Sequence, residues 1–355
     1  MLGIVINPRA GNGRGERIWA QVRAELDRRG VPYEAACTEA AGEGACLAAA
    51  LAARPGIGTL LVIGGDGTIH EAAAGLWHLR AAAVRHAGGA QRADAVRDAD
   101  VEGDGSRDTA GGAGEAAALR HAGEAATAGA TAATGCALAA IPAGTGNDFA
   151  KAFGLPADPL LALELALTVG KPRPLDVLLA GGGGLAVNSF GAGFDGLVAK
   201  LTNEAGYKKL LNRFKLGSLA YLITVLRVFA GYQPCDAELV IDGERHELRD
   251  MWLVAAANIP FYGGSMQICP GASPHDGQVD VVVICSRTRL RLLPILAAVY
   301  KGRHVGHPAV RFFRGRHAAL TTAKPLYVHA DGEQYGATPL RLEVVPAALT
   351  VIGAP

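Results

Sequence analysis

The sequence lacks the features that mark membrane-spanning, secreted and nucleic-acid-binding proteins. No uninterrupted apolar stretch in its 355 residues reaches the roughly 18 residues that a membrane span needs. The formal net charge is only +1, whereas nucleic-acid binders carry a basic excess. The opening residues, MLGIVINPRAG, have no basic segment ahead of their short apolar run, so they predict a first strand and not a signal peptide. We therefore expect a cytoplasmic protein with no nucleic-acid partner.

Metal-binding and P-loop patterns are also missing. The six cysteines form no C-x-x-C pair, and none of the ten histidines has metal-ligand spacing, so we expect reduced core thiols and assign the histidines no chemistry. The cysteines are Cys37, Cys46, Cys136, Cys235, Cys269 and Cys285. No glycine-rich turn ends in Gly-Lys-Ser/Thr, which excludes a P-loop. One G-x-G-x-x-G run, Gly191–Gly196, has no βαβ unit around it, so a plain glycine turn is favoured there.

The stretch TLLVIGGDGTIHEAAAGL, Thr59–Leu76, predicts a strand, a glycine turn and a helix. Leu60–Ile63 form a short apolar run, and the next four residues, Gly64–Gly67, favour neither strand nor helix. Thr68 and Glu71 have capping-box spacing, so we expect the helix to begin at Thr68. Glycine N–H groups and a helix N-terminus together favour an anion such as phosphate.

Two interpretations of Asp66, within that turn, stand side by side. A carboxylate among phosphate-binding amides repels the ligand unless it binds a metal, orders water or takes up a proton. The alternative is an ordinary glycine-rich turn with a solvated aspartate.

The same order of strand, turn and helix recurs along the first half of the chain. Strands are predicted at Leu2–Ile6, Pro32–Thr38 and Cys136–Ile141, and a helix is predicted at Glu16–Arg28. Strands that alternate with helices predict a parallel sheet covered on both faces. Ligands of such sheets bind beyond the carboxyl ends of the strands.

Two composition changes predict the domain organisation. Residues 80–134 contain one leucine, no isoleucine and no aromatic residue, so we predict a low-complexity insertion, mobile or loosely helical, within one domain. From Leu175 onward the chain shows short alternating strands and an Asp242-Gly243 hairpin turn. We therefore predict an α/β domain over 1–172, a β-sandwich over 173–340 with helical stretches near 196–211 and 217–230, and a segment 341–355 that returns to the first domain.

Three motifs, each predicted at the end of a strand, occur in one order along the chain. They are NPRAG (Asn7–Gly11), GGDGT (Gly64–Thr68) and GTGND (Gly144–Asp148). In this order they resemble the diacylglycerol kinase catalytic domain of bacterial lipid kinases, which is related to sphingosine and ceramide kinases and more distantly to NAD kinases. The resemblance implies an α/β nucleotide-binding domain followed by a β-sandwich, with the active site and ATP in the cleft between them.

The resemblance also implies which residues bind ATP and Mg²⁺. The implied nucleotide site comprises Asn7, which would brace the adjacent turn, together with Thr38, Gly64, Gly65, Asp66, Gly67, Thr68, Ile69, His70, Thr145 and Asn147. Asp66 and Asp148 would hold the Mg²⁺ that bridges the phosphates, since this ion takes one or two carboxylates. Asp148 has the alternative role of a helix N-terminal residue favoured by the dipole.

The motif ADGE, Ala330–Glu333, supplies the implied general base. In bacterial members of the family the glutamate of this motif is proposed to take the proton of the acceptor hydroxyl, so Glu333 is assigned that role. Asp66 is the rival for it, and a hairpin turn with an exposed glutamate is the alternative interpretation.

The run PGASPHDGQ, Pro270–Gln278, resembles the family's structural Mg²⁺ loop. The ion would be bound by the Asp276 side chain and by the carbonyl oxygens of Ser273 and Gln278. A plain Asp-Gly turn is the alternative. The family often has lysine where this sequence has Ser273, a difference that matters little if only the carbonyl binds.

Two basic regions are candidates for contact with lipid. The apolar helix predicted at Leu216–Ala230 follows Lys208, Lys209, Arg213 and Lys215, and either meets anionic lipid or is a core helix with a solvated lead-in. The second region either faces phospholipid head groups or is a solvated face; it comprises Arg287, Arg289, Arg291, Arg303, Arg311, Arg314 and Arg316.

Taken together, the resemblance implies an ATP- and Mg²⁺-dependent lipid kinase that phosphorylates diacylglycerol or a similar lipid at the inner membrane face, as a peripheral protein. Two rival functions remain: an NAD kinase-like enzyme and a non-catalytic nucleotide-binding regulator. A homodimer is left open.

Overall fold

The computed structural model describes residues 1–88, 135–204 and 225–354, without the side chains of 84–88 and 202–204. The chain divides into two compact units. The first comprises Met1–Gly144, Leu155–Pro172 and Leu349–Pro355, and the second comprises Thr145–Gly154 and Arg173–Ala348. The chain therefore passes between the units more than once.

The first unit is built on a parallel sheet with strand order β2-β1-β3-β4-β15. Its strands are β1 (Leu2–Ile6), β2 (Tyr33–Cys37), β3 (Thr59–Gly64), β4 (Ala137–Pro142) and the end of β15 (Leu340–Gly353). Its helices are α1 (Ala10–Arg29), α2 (Glu43–Ala52), α3 (Asp66–Gly88) and α5 (Pro159–Glu164), the last continued by a π-helical turn, Leu165–Val169. Gly11, Asn12 and Gly13 have non-helical backbone angles, so α1 is regular only after this kink. This confirms the parallel α/β fold predicted from the alternation of strands and helices.

Burial explains why these strands are apolar throughout. Every residue of β1 and β4 is buried, as are the last five of β3, because helices cover both faces of the sheet. Ile18, Val22 and Leu26 on α1 pack against this core at helical spacing.

Helix α3 begins two residues earlier than the capping-box spacing predicts. It starts at Asp66, and Thr68 lies within its first turn. The Glu71 carboxylate accepts the backbone N–H groups of Gly42 and Gly44, each at 2.9 Å, at the start of α2. The predicted Thr68–Glu71 capping box is therefore wrong. The Thr68 hydroxyl accepts a hydrogen bond from Asn7, in the turn after β1, and the Glu71 carboxylate is engaged at the start of α2.

The far end of α3 overlaps the predicted low-complexity segment. The helix continues to Gly88, and Leu79 and Ala83 on it are buried. Residues 80–88 are therefore part of a regular helix, whereas residues 89–134 lie outside the described residues.

The second unit consists mainly of antiparallel strands. They are β5 (Lys171–Ala180), β6 (Gly184–Ala186), β7 (Ser189–Gly193), β8 (Cys235–Ile241), β9 (Glu244–Ala257), β10 (Val279–Cys285), β11 (Val310–Gly315), β12 (His317–Thr322), β13 (Tyr327–Ala330), β14 (Glu333–Ala337) and the first part of β15. The hydrogen-bonded order is β14-β13-β7-β9-β8-β12-β15, while β10 joins β9 to β11 and β5 pairs with β6 and β15. Apolar residues from nine of these strands share one core, the arrangement expected of a sandwich.

The helices that the structure describes in this unit are short. They are α4 (Asp148–Ala152), α6 (Phe194–Glu204) and α7 (Leu293–Ala298), the last flanked by the 3₁₀ turns Arg289–Leu292 and Val299–Lys301. Residues 225–231 are also helical, which agrees with the end of the helix predicted at 217–230. Residues 205–224, with the basic lead-in Lys208 to Lys215, lie outside the described residues.

Two local predictions in this half have different outcomes. Asp242 and Gly243 both have positive φ, 47° and 91°, as the type I′ hairpin turn requires. The run GKPRP, residues 170–174, has a composition that disfavours both helix and sheet, yet β5 already begins at Lys171. Its two prolines lie in the mostly exposed first part of that strand. The division between the two compact units falls within this run, after Pro172.

The cysteines are all free thiols, but only Cys136 and Cys269 are buried, and Cys37 is exposed. The expectation of core thiols is therefore wrong for Cys37. Burial raises the pKa of Cys136 to about 11. Among the described helices, none has the length and hydropathy needed to cross a bilayer.

Candidate active site

The turns that follow β1 and β3 are joined by a side-chain hydrogen bond. The Asn7 amide Nδ2 donates to the Thr68 hydroxyl at 3.0 Å, and the Asn7 Oδ1 accepts the backbone N–H of Arg9 at 3.1 Å. Asn7 therefore fixes the start of α3 to the turn after β1, the bracing role that the sequence predicts for it.

Glycines let three loop backbones approach one another here. A Cβ on Gly65 would lie 3.2 Å from the Cα of Gly144, and a Cβ on Gly11 would lie 2.2 Å from the Ala143 carbonyl oxygen. Gly11 also has a positive φ of 55°. Only glycine fits at Gly11, and the motifs NPRAG, GGDGT and the first residue of GTGND consequently meet at the carboxyl ends of β1, β3 and β4.

The residues at the start of α3 differ in how far they are exposed to solvent. Thr68 and Ile69 are buried, and the Ile69 N–H donates to the Gly65 carbonyl at 3.1 Å. Asp66, Gly67 and His70 are half-buried. The Ile69 side chain therefore packs in the core, and its N–H forms a hydrogen bond at the start of the helix.

Thr38 lies directly after β2 at the same edge of the sheet. It is buried, and its backbone N–H donates to the Ile6 carbonyl at 2.8 Å. The carboxyl ends of three adjacent strands therefore carry a predicted nucleotide contact, with Gly144 at the end of the fourth.

The rest of the GTGND motif belongs to the second unit. Thr145 is exposed, and Asn147 has a left-handed backbone with φ of 54°. Asp148 is only 5% exposed, and its carboxylate accepts the backbone N–H groups of Gly264 and Ser265 at 2.8 and 2.7 Å. Asp148 therefore holds a second glycine-rich turn, which the sequence analysis missed although GGS marks it.

Lys151 is a further residue that the sequence analysis missed. Its ammonium donates to the Gly146 carbonyl at 2.6 Å, contacts the Ser265 hydroxyl and lies 3.4 Å from the Asp148 carboxylate. The loop thus carries a cation and an anion side by side.

The turn before Glu333 is fixed by an aspartate. Asp331 and Gly332 have φ of 50° and 90°, and the Asp331 carboxylate accepts the N–H groups of Val187, Asn188 and Ser189 at 2.8–2.9 Å. Glu333, the first residue of β14, is exposed. The rigid turn therefore presents a carboxylate that is open to solvent.

A buried histidine–aspartate pair also supports this turn. His329 Nε2 lies 2.5 Å from the Asp195 carboxylate, and His329 Nδ1 accepts the N–H of Gly332 at 3.2 Å. Burial alone lowers the pKa of His329, but the negative charges of Asp195, Asp331 and Glu333 outweigh it and leave the pKa raised. No histidine was expected to have a chemical role, so this pair was not predicted from the sequence.

The G-x-G-x-x-G run leaves room for this pair, which explains the glycines without a nucleotide. A Cβ on Gly191 would lie 2.2 Å from His329 Nε2 and 2.3 Å from an Asp195 carboxylate oxygen. A Cβ on Gly196 would lie 2.0 Å from the Tyr327 carbonyl oxygen. The run spans the end of β7 and the start of α6, so it is a packing feature and not the plain turn expected.

The predicted structural metal loop is held by hydrogen bonds. Asp276 Oδ1 accepts the Gln278 N–H at 3.0 Å, and the guanidinium of Arg314 lies 3.7 Å from Asp276 Oδ2. Arg314 also binds both oxygens of Asp280 and the Gly271 carbonyl. Ser273 is half-buried in the same loop.

Asp176 is the buried anchor of this loop. Its carboxylate accepts the N–H groups of Gly277 and Ala347, both at 2.7 Å, and its side chain is shielded from solvent. In the part of the chain that the structure describes, no three His, Cys, Asp or Glu side chains form a metal-binding group.

Two family profiles match this chain, one in each half. A family profile described as "Diacylglycerol kinase catalytic domain" matches residues 1–89 and 110–180. A second profile, "YegS C-terminal NAD kinase beta sandwich-like domain", matches residues 188–353. The two profiles cover an α/β part and a β-sandwich part in the predicted order.

Several curated proteins are similar over most of their length. The putative lipid kinase YtlR of Bacillus subtilis is 26% identical over 98% of this chain and 97% of its own. A diacylglycerol kinase of Mycobacterium tuberculosis is 32% identical, and a probable YegS-like lipid kinase of Pseudomonas putida is 34% identical. Each of these two matches covers 61% of this chain and 68% of the relative.

A solved structure shares the fold. The crystal structure of a putative diacylglycerol kinase from Bacillus anthracis superposes with a TM-score of 0.71 at 21% identity. The match covers all of this chain and 95% of the other.

Proposed function

Because the chain belongs to the diacylglycerol kinase catalytic-domain family of lipid kinases, we propose that it transfers the γ-phosphoryl group of ATP to a hydroxyl of diacylglycerol or a related lipid. The observation that carries this proposal is the meeting of three loop backbones beside the start of α3, where Asn7 binds Thr68 and Gly65 lies against Gly144. Such an arrangement suits a triphosphate, because close-packed glycines expose N–H groups and a helix N-terminus favours negative charge.

The nucleotide site is proposed at this edge of the first unit. The phosphates would lie along Gly64–His70, with Thr38, Thr145 and Asn147 as further contacts and Asn7 holding the turn. Ile69 contributes through its place in the helix, since its side chain is buried and its N–H is engaged.

Mg²⁺ is proposed as the metal ion, held by Asp66 and Asp148. Carboxylate oxygens are the hard donors that this ion prefers, and it completes its shell with phosphate oxygens and water, so no cluster of three protein ligands is required. Both Asp148 oxygens accept a backbone N–H, and a carboxylate oxygen can accept more than one partner. When bound, the ion neutralises charge on the transferred phosphoryl group.

Glu333 is proposed as the general base. It is exposed, and the Asp331 and His329 contacts fix the turn from which it projects. A base of this kind must reach the acceptor hydroxyl and take its proton. Asp66 is the alternative base.

The acceptor is proposed to be a membrane lipid, reached from the inner face of the membrane by a protein that associates peripherally. Purified protein would be incubated with γ-labelled ATP and either diacylglycerol micelles or NAD. We expect label in the lipid fraction, and mass spectrometry of a lipid extract after the reaction would identify the acceptor. Label that enters only NAD would support an NAD kinase, and the absence of ATP turnover with a panel of lipids would support a non-catalytic regulator.

A further inference from the structure

The helical segment Arg289–Lys301, with the loop after it, carries apolar residues on a buried face and on an exposed face. Leu292, Ile295 and Val299 point inward and are 3–4% exposed within a core cluster. Leu293 and Tyr300, which are seven residues apart and so share the other face, are 45% and 51% exposed. One face is therefore explained by the fold, and the other is not.

Further large apolar side chains are exposed close by in the chain. Leu290 is 72% exposed and Val305 is 55% exposed. These exposures matter because single exposed leucines are common in soluble proteins, whereas a group of them marks a surface that binds something apolar. We call the set Leu290, Leu293, Tyr300 and Val305, with the exposed cations Arg291, Lys301 and Arg303, the docking face.

The stretch of sequence that carries the docking face has charges of one sign. Between Asp280 and Asp331 the sequence contains no Asp or Glu but nine basic residues: Arg287, Arg289, Arg291, Lys301, Arg303, Arg311, Arg314, Arg316 and Lys324. This is a local asymmetry in a chain whose net charge is only +1. A partner of this face is therefore expected to be negatively charged.

Some of these basic residues serve the fold and are left out of the docking face. Arg287 pairs with Asp250 at 3.0 Å, Arg314 pairs with Asp280 at 2.9 Å, and Arg289 donates to the Tyr232 carbonyl at 3.0 Å. Arg311 and Lys324 likewise donate to backbone carbonyls, those of Glu247 and Gln233, and Arg316 follows β11, outside the helical segment and its loop. The exposed side chains of Arg291, Lys301 and Arg303 remain as the cations of the docking face.

We propose that the docking face binds the surface of a bilayer that contains anionic lipids. Leucine, valine and tyrosine side chains enter the boundary between head groups and acyl chains, while lysine and arginine bind anionic head groups. A nucleic-acid surface would use the cations but would not cover the leucines, and a second copy of this chain would carry the same positive charge. The bilayer is the partner that satisfies both properties, and the proposal does not require phosphoryl transfer.

The test is co-sedimentation with vesicles of phosphatidylcholine alone or mixed with phosphatidylglycerol. We expect binding to the mixed vesicles that weakens as salt is added. The triple variant Arg291→Gln/Lys301→Gln/Arg303→Gln should bind at least tenfold more weakly, since each cation near an anionic surface contributes about 1 kcal/mol. Leu290→Ser/Leu293→Ser should also bind more weakly, through lost apolar insertion.

Leu161→Ser is the matched control, because Leu161 is also an exposed leucine, at 61%, but lies on α5, a helix without basic residues. It should bind like the wild type. Thermal unfolding of each variant would establish that it folds. Equal vesicle binding by wild type, control and docking-face variants would overturn the proposal, as would a concentration-dependent dimer that only the docking-face variants lose.

Activity toward a short-chain, water-soluble diacylglycerol separates this proposal from the proposed function. Docking-face variants should retain that activity within about twofold while losing activity on vesicles. Vesicle binding by a protein without any kinase activity would support the docking face and contradict the proposed function.

Discussion

At the scale of single residues, Glu333 is the most direct test of the proposed chemistry. Glu333→Gln keeps the size of the side chain and removes its ability to take a proton. We expect activity to fall by about 10²-fold or more, because general base catalysis contributes roughly 10²–10⁴-fold. ATP affinity, measured by calorimetry, should stay within about twofold.

The matched control for that variant is Glu343→Gln, since Glu343 is also exposed but lies on β15, outside the DGE motif. It should keep wild-type activity. More than about a tenth of the activity retained by Glu333→Gln would exclude it as the base and leave Asp66 as the candidate.

A buried histidine predicts how stability depends on pH. His304 is 1% exposed, and its Nε2 lies 3.0 Å from the Ile268 carbonyl oxygen. Burial lowers its pKa below the ordinary value of 6.5, with the Ile268 hydrogen bond opposing the shift. The unfolded chain therefore binds the proton more readily, so this contribution to stability is complete above about pH 6.5 and is lost as the pH falls below it.

His304→Gln should remove that dependence while keeping a donor for Ile268. Denaturant unfolding at pH 7.5 and 5.5 should show a smaller loss of unfolding free energy in the variant than in the wild type. His275→Gln, at an exposed histidine, should keep the wild-type difference. An unchanged difference in His304→Gln would contradict the assignment.

Residue-scale predictions from the sequence succeeded where the residue's partner lies in another recognisable motif. Asn7 was predicted to brace the neighbouring turn, and its amide binds Thr68 in GGDGT. The His329–Asp195 pair was missed because its members lie 134 residues apart and neither has a characteristic spacing. The only local trace of the pair is Gly191, where a Cβ would collide with both side chains.

At the scale of elements, the junction of α2 and α3 shows how a tertiary contact replaces a local one. Glu71 on α3 accepts two N–H groups at the start of α2, where the helix dipole also favours a negative charge. Glu71→Gln keeps one acceptor oxygen and removes the charge, so we expect the unfolding free energy to fall by about 1–2 kcal/mol. Thermal unfolding would measure the change.

Glu16→Gln is the control for this element, because Glu16 is an exposed glutamate on α1. Its unfolding free energy should change by less than about 0.5 kcal/mol. An equal change in the two variants would mean that Glu71 has no special role at the start of α2.

The loop that precedes β10 allows a test of the structural Mg²⁺ site that the family resemblance implies. Arg314 places a positive charge beside Asp276 and Asp280, and burial raises the pKa of Asp280 while Arg314 opposes that shift. Arg314→Gln should lower the unfolding free energy by about 1–2 kcal/mol, since it removes hydrogen bonds to a half-buried carboxylate. Thermal unfolding with and without millimolar Mg²⁺ would measure both the loss and its recovery.

If Asp276 with the carbonyl oxygens of Ser273 and Gln278 binds Mg²⁺, the ion should stabilise the variant at least as much as the wild type. Arg316→Gln, at an exposed arginine two residues along, is the control and should unfold like the wild type in both conditions. No effect of Mg²⁺ on any of the three proteins would contradict the metal loop.

At the scale of the whole molecule, the order of elements was predictable but their distribution between units was only partly so. Alternating apolar runs and helices predicted the parallel sheet, because strands buried on both faces are apolar throughout. Chain crossings were predicted only in part: the C-terminal segment was expected to return to the first domain, and Leu349–Pro355 groups with the first unit, but the grouping of Thr145–Gly154 with the second unit was not predicted. These groupings depend on contacts between residues far apart in the chain, such as the hydrogen bond from Gly264 to Asp148, and no repeating pattern in the sequence predicts such contacts.

The low-complexity segment gives a prediction for the molecule as a whole. The family profile matches residues up to 89 and from 110, leaving 90–109 unmatched. Residues 80–88 belong to α3, where Ala83 is buried. Replacement of 90–109 by a short Gly-Ser bridge should leave the unfolding temperature nearly unchanged and kinase activity within about twofold, because these residues lie outside the family match and a change in the length of a connection costs little.

Removal of all of 80–134 should behave differently. It deletes the last part of α3 along with a buried alanine, so we expect a lower unfolding temperature and reduced activity, in proportion to the buried surface lost. The pair of deletions therefore serves as its own control, since both join the same two halves of the chain with the same bridge. Equal unfolding temperatures of the two deletion proteins would show that the part of α3 after Leu79 does not stabilise the fold. Loss of activity on removing 90–109 alone would instead assign that stretch a part in catalysis or substrate binding.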